Sequence, residues 1–237
     1  MSSTFLTAQW KKLAMANYAV DPSLLKKYIP YKTDLDLWNN TCYLSLVGFM
    51  FVNTRVKGIK IPFHENFEEV NLRFYVKHQS DETGWKRGVV FIKEIVPRPA
   101  ITFLANTIYN ENYQTMQMDH RWIKEKDVLR VEYLWKKGEW NTFSVLTEGE
   151  ARDIENVSEE EFITEHYWGY TRVNDSVTRE YQVLHPRWKV YDVKEYHINV
   201  NFGNVYGKEF SFLKNLQPES VFLAEGSEIE VKHGLKI

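Results

Sequence analysis

The sequence predicts a mainly β protein (α+β) built from an antiparallel sheet with a few short helices. Three observations predict it. Aromatic residues make up 15% of the chain, and such rings suit half-buried sheet surfaces. Residues 67–76 alternate clearly, with Val70, Leu72, Phe74 and Val76 on one side and Glu69, Asn71, Arg73 and Tyr75 on the other, the period of a strand. Helical periodicity is confined to brief stretches, the longest at Pro99–Tyr109.

In chain order, Trp10–Val20 has the propensity of a helix, but its aromatics and the capping context that follows favour a strand entering the sheet. Asp21 can cap a helix whose first residue is Pro22, and Pro30 closes it. Leu35–Trp38 and Tyr43–Val52 flank Asn39-Asn40, residues that tolerate a left-handed turn, and read as a hairpin. The strand at 67–76 is followed by a polar loop, Lys77–Gly88, and by a strand at Val89–Val96. Neighbours in sequence, these two would pair antiparallel. Ile101, Leu104, Ala105 and Ile108 mark a helix. Strands follow near 114–122, 128–135 and 140–148, the last two joined by a turn at Lys137-Gly138. Ser158 and Glu161 form a capping box for a short helix reaching about His166. Further strands are expected near 178–184, 190–200, 220–223 and 228–232, with a helical piece near 209–215. Glycine and proline are spread rather than gathered into a linker, so residues 1–237 are expected to form one domain.

Composition removes several function classes. A net charge of -2 offers no field to attract nucleic acid. The longest apolar passage, Cys42–Val52, is too short to span a bilayer, and Met1–Gln9 lacks the pattern of a signal peptide. With one cysteine and no leader, a cytoplasmic location is expected. No histidine spacing supports a metal site, and no dinucleotide or phosphate-loop fingerprint supports a cofactor. His64-Glu65 and Glu165-His166 read as surface pairs.

The strand 89–96 is apolar on both faces except for Lys93 and Glu94. Charges in such a strand need partners. A turn within the preceding loop would set Asn71 opposite Lys93, with Glu69 and Arg73 in diagonal reach. A slip of one residue would bring Glu94 to that face instead. The resulting polar lane is either an ion-pair ladder on a covered face or the floor of a pocket for a carboxylate or carbonyl compound, in which a desolvated lysine can act as a nucleophile.

Several stretches also carry a resemblance. Trp10-Lys11-Lys12-Leu13-Ala14-Met15-Ala16-Asn17-Tyr18, Asn66-Phe67-Glu68-Glu69-Val70-Asn71-Leu72-Arg73, Val96-Pro97-Arg98 and His185-Pro186-Arg187-Trp188, in that order, resemble the YqjF-like family of bacterial proteins. That family is grouped by fold with acetoacetate decarboxylase. The resemblance implies a cone-like or barrel-like antiparallel sheet with an interior cavity. Acetoacetate decarboxylase uses a Schiff-base lysine, a second lysine beside it, and a nearby arginine and glutamate. Aligned directly, the lysine pair falls at Asn112 and Tyr113, the arginine near Lys11 and the glutamate near Glu65. Schiff-base decarboxylation is therefore not expected, although the cavity can persist.

The sequence thus points first to a binder of a small organic molecule of carbonyl or aromatic character. Its candidate ligand-binding residues are Glu69, Asn71, Arg73, Lys93, Glu94, Arg98, Tyr109, Asn112 and Tyr113. The alternatives are an enzyme acting on a small keto acid through Lys93, Glu69 or Glu65, and Arg73, and a structural or partner-binding protein with a filled cavity. No cofactor, metal, nucleic acid or membrane is expected. Exposed strand edges leave room for a homo-oligomer.

Overall fold

The computed structural model describes residues 3–81 and 83–237. The chain opens with one long strand, β1 (Thr4–Ala19). Asp21 accepts the Ser23 amide and Pro22 begins a turn, as expected, but the segment before Pro30 forms two 3-10 turns, 22–24 and 26–28, rather than a helix. Next come β2 (Asp34–Leu35), β3 (Tyr43–Val56), β4 (Ile59–Lys60), β5 (Phe67–Ser80) and β6 (Gly84–Val96). The helix α1 (Pro99–Ile108) leads to β7 (Tyr113–Thr115), β8 (Gln117–Glu125), β9 (Val128–Lys137), β10 (Glu139–Glu148) and β11 (Arg152–Asp153). After α2 (Glu159–Thr164) follow β12 (Trp168–Asn174), β13 (Val177–Leu184), β14 (Lys189–Asn199), α3 (Phe202–Val205), a 3-10 segment at 208–215, β15 (Ser220–Lys232) and β16 (Leu235–Lys236).

Several expectations are corrected. Asn39 and Asn40 do adopt positive φ (48° and 64°), but the hairpin shrinks to the single bridge Trp38–Thr41. β2 pairs with β5, because both edges of β3 are occupied by the long strands β1 and β5. The expected loop 77–88 is mostly strand, since β5 and β6 stay paired out to Ser80 and Gly84. The two strands expected at 220–223 and 228–232 are one, β15, which kinks at Gly226 (φ 79°) where a side chain would strike the Trp10 carbonyl. Strand β12 and helix α3 lie outside the elements the sequence predicts. Among the described residues no helix is long and apolar enough to cross a membrane.

The sheet is mostly antiparallel, with parallel pairings of β6 to β12 and to β7. Its order runs β16-β13-β12-β6-β5-β3-β1-β15-β14-β10-β9-β8. A second pairing, Val183 with Val231 and Leu184 with Glu230, joins β13 to β15. The path β13-β12-β6-β5-β3-β1-β15 therefore returns to its start.

Alternation along these strands supplies two cores. Leu44, Leu46, Leu72, Phe74 and Val90 face outward, under β9, β10, α3 and the 3-10 segment. Gly48 permits that cover, because a Cβ there would stand 2.8 Å from the Tyr133 ring. Tyr133 in turn donates its hydroxyl to the Lys12 carbonyl at 2.7 Å. The inner faces carry Phe5, Phe49, Phe51, Phe67 and Val89, joined by Tyr109, Tyr181 and Trp188. These rings surround the site.

Candidate functional site

The inner faces of the seven linked strands leave a cavity of about 130 Å³. That is near the size of a void known to admit benzene. Its walls are largely aromatic: Trp10 contacts Phe49, Phe51 and Trp188 edge-on, and His185 stacks on Trp188 with centroids 4.2 Å apart. Helix α1 contributes Ile101, Leu104 and Ala105.

The floor is polar. Glu69, Asn71 and Arg73, at every second position of β5, all face in. The register on β6 sets Asn71 opposite Glu94 and Leu72 opposite Lys93, and it shifts between Leu72 and Arg73, which pairs with Phe91. This β-bulge breaks the alternation. Val89 and Phe91 line the cavity before it and Glu94 after it. Lys93 consequently points the other way and donates to the Val205 carbonyl of α3. The expectation that Lys93 and Arg73 share a hollow is therefore corrected; Glu94 takes the inward place. No lysine lines the cavity among the described residues.

The loop after α1 holds the bulge. Asn112 Nδ2 donates to the Ile92 carbonyl at 2.6 Å, and the Glu94 amide donates to the Asn112 carbonyl at 3.1 Å. Asn112 is thus an exposed brace rather than a cavity wall. Its neighbours Glu111 and Tyr113 turn inward. Tyr113 donates to Glu69 Oε2 at 3.0 Å, Asn71 Nδ2 donates to Glu69 Oε1 at 2.9 Å, and Tyr181 donates to Glu111 Oε1 at 2.8 Å.

Three buried carboxyls therefore share one apolar enclosure. Burial pushes Glu69 and Glu111 up to about 7, against the hydrogen bonds they accept. Glu94 is likewise raised well above its ordinary value, by burial and by the charges of Glu111 and Glu69. Protonated, this cluster leaves Arg73 as the principal charge. Arg73 forms no ion pair among the described residues: Nη2 reaches only the Met15 sulfur, at 4.0 Å, and Nε has no partner. Glu94 Oε2 and Asn71 Oδ1 are likewise buried and unpartnered.

Beside Arg73, His166 shares a hydrogen bond with Asp36 at 3.2 Å, and Asp36 also accepts from Arg87 at 2.6 Å. Burial pulls His166 down to about 4, so the ring is neutral. Burial opposes ionisation of Asp36, but the bonds from His166 and Arg87 outweigh it and hold that carboxyl at about 2. With its Nε2–H directed at Asp36, His166 has a bare Nδ1.

Six of the sequence-derived candidates line the cavity: Glu69, Asn71, Arg73, Glu94, Tyr109 and Tyr113. Glu65 does not; it pairs with Lys60 at 2.7 Å. Arg98 does not either, and its charge acts on Glu68, on the outward side of β5. Sequence reasoning missed Glu111, Tyr181 and His166. The Glu165-His166 pair, read as a surface feature, has its histidine buried, because the chain dives inward at the end of α2. Glu68, Asp119 and His120 come together outside the cavity, where the Glu68–His120 bond of 2.7 Å accounts for the grouping.

A family model described as an uncharacterized conserved protein, DUF2071, matches residues 7–228. The chain belongs to this family. The YqjF protein of Bacillus subtilis (strain 168) is 26% identical over 199 residues, covering 81% of this chain and 77% of that one. Among solved structures, acetoacetate decarboxylase from Legionella pneumophila superposes with a TM-score of 0.67 at 10% identity, covering 99% of this chain and 88% of that one. The enduracididine biosynthesis enzyme MppR complexed with pyruvate gives 0.68 at 12%, covering 100% and 91%. An acetoacetate decarboxylase-like enzyme from Sphingomonas wittichii RW1 gives 0.66 at 8%, covering 99% and 94%. This DUF2071 protein thus has the acetoacetate decarboxylase-like fold.

Proposed function

We propose that this protein binds a small, flat organic carboxylate or carbonyl compound in the cavity, with Arg73 receiving its oxygens. The observation that carries the reading is Arg73 itself: a buried guanidinium among aromatic walls, without an ion-pair partner among the described residues. A buried charge left so is costly unless an anion completes it. Guanidinium geometry suits a carboxylate in a two-pronged bond. The volume suits a molecule about the size of benzene, and the rings suit an unsaturated body. A structural neighbour, MppR, has been seen with pyruvate, a small carbonyl acid.

Titration calorimetry with 2-furoate tests the reading. The wild-type protein is expected to bind it, and Arg73→Met to bind it about a hundred-fold more weakly, the scale of a lost charged hydrogen bond of about 2–3 kcal/mol. Equal affinity in the two proteins, both folded by circular dichroism, would refute the assignment.

A further inference from the structure

The cavity floor holds, besides Arg73, two side chains whose hydrogen-bonding capacity is unfilled. Asn71 is 1% exposed and Glu94 2%, against 7% for Arg73, and all three line the cavity. The amide of Asn71 has its orientation fixed from one side, since Nδ2 is committed to Glu69 Oε1 at 2.9 Å. Its Oδ1, an acceptor only, is buried and has no partner. Glu94, directly opposite on β6, adds the unpartnered Oε2. Buried polar atoms of this kind are uncommon, and each calls for a partner. Here a donor, Arg73, and an acceptor, Asn71, stand two residues apart on one strand, about 7 Å between Cα atoms.

We infer that the ligand is a planar carboxylic acid that also carries an N–H or O–H group, its carboxylate on Arg73 and its donor on Asn71 Oδ1, with Glu94 beside it. The inference rests on the binding reading above and names the chemical class within it. A plain apolar acid would satisfy Arg73 and leave Asn71 Oδ1 unfilled. An acid with a ring oxygen in the donor's place would set two acceptors against each other. Specificity of this sort is large in buried sites, because an analogue lacking the donor strands the protein's own polar group.

Pyrrole-2-carboxylate and 2-furoate make a matched pair, alike in outline and carboxylate, one with a ring N–H and the other with a ring oxygen. Calorimetry on the full-length wild-type protein is expected to show pyrrole-2-carboxylate binding at least ten-fold more tightly. Asn71→Leu is expected to remove most of that preference. Equal binding of the two acids by the wild type, or tighter 2-furoate, overturns the inference and leaves the Arg73 reading intact. A preference that survives in folded Asn71→Leu overturns it as well. Failure of both acids to bind overturns the underlying reading together with it. The wild-type comparison decides the matter even where the variant does not fold.

Discussion

Replacing Glu111 by Gln should make the protein more stable at pH 8 and leave it nearly unchanged at pH 4.5. Glu111 lies in the cavity, accepts the Tyr181 hydroxyl, and has its carboxyl pushed by burial from 4.5 up to about 7. Between those two values the folded chain holds a proton that the unfolded chain has released. Stability therefore falls as pH rises across that window and is level above it. A displacement of that size corresponds to roughly 3 kcal/mol, the cost of ionising the group inside the fold. Glutamine keeps the carbonyl that Tyr181 bonds and replaces the acid O–H with an amide N–H, so it resembles the protonated form. It has no proton to lose. Urea denaturation followed by tryptophan fluorescence at pH 4.5, 6 and 8 measures the difference. The gap between variant and wild type should open from near zero to on the order of 3 kcal/mol. Parallel curves at all three values would show that Glu111 titrates as an ordinary surface acid and that the enclosure does not suppress its charge.

Gly169 should resist substitution, because a Cβ there would lie 2.2 Å from Cζ of Tyr181. Gly169→Ala is expected to cost about 1–3 kcal/mol, read as a lowered midpoint in thermal denaturation, and a wild-type midpoint would contradict the packing described. Borohydride reduction in the presence of pyruvate should leave the Lys93 peptide unmodified by mass spectrometry, since that amine is bound to the Val205 carbonyl on the outer side of β6. A trapped adduct on Lys93 would restore the enzyme reading.

Much of the fold was legible because side-chain period survives in short windows. The β5 alternation, the two-faced apolar run of β6, the helix α1 and the Ser158 cap all stand in the structure, the last with Glu161 reaching the Val157 amide at 2.6 Å instead of that of Ser158. Pairing was less legible. β2 and β3 are consecutive along the chain, yet β3 found longer partners elsewhere. At the site, Glu69, Asn71 and Arg73 were readable together because one strand carries them. Whether Lys93 or Glu94 joined them was not readable, since a bulge adds a residue without changing composition. Glu111, Tyr181 and His166 arrive from three remote segments, and nothing local in their neighbourhoods marks them as inward.

The extra residue in β6 changes which numbers belong to which side. Upstream of it odd positions, Val89 and Phe91, look into the cavity; downstream the even position Glu94 does. Ile92 and Lys93 are consecutive and both look out. A strand of perfect parity would have admitted the amine and expelled the carboxyl. One inserted peptide unit thus decides whether the interior holds a nucleophile or an acid, with no change of side-chain identity at either position.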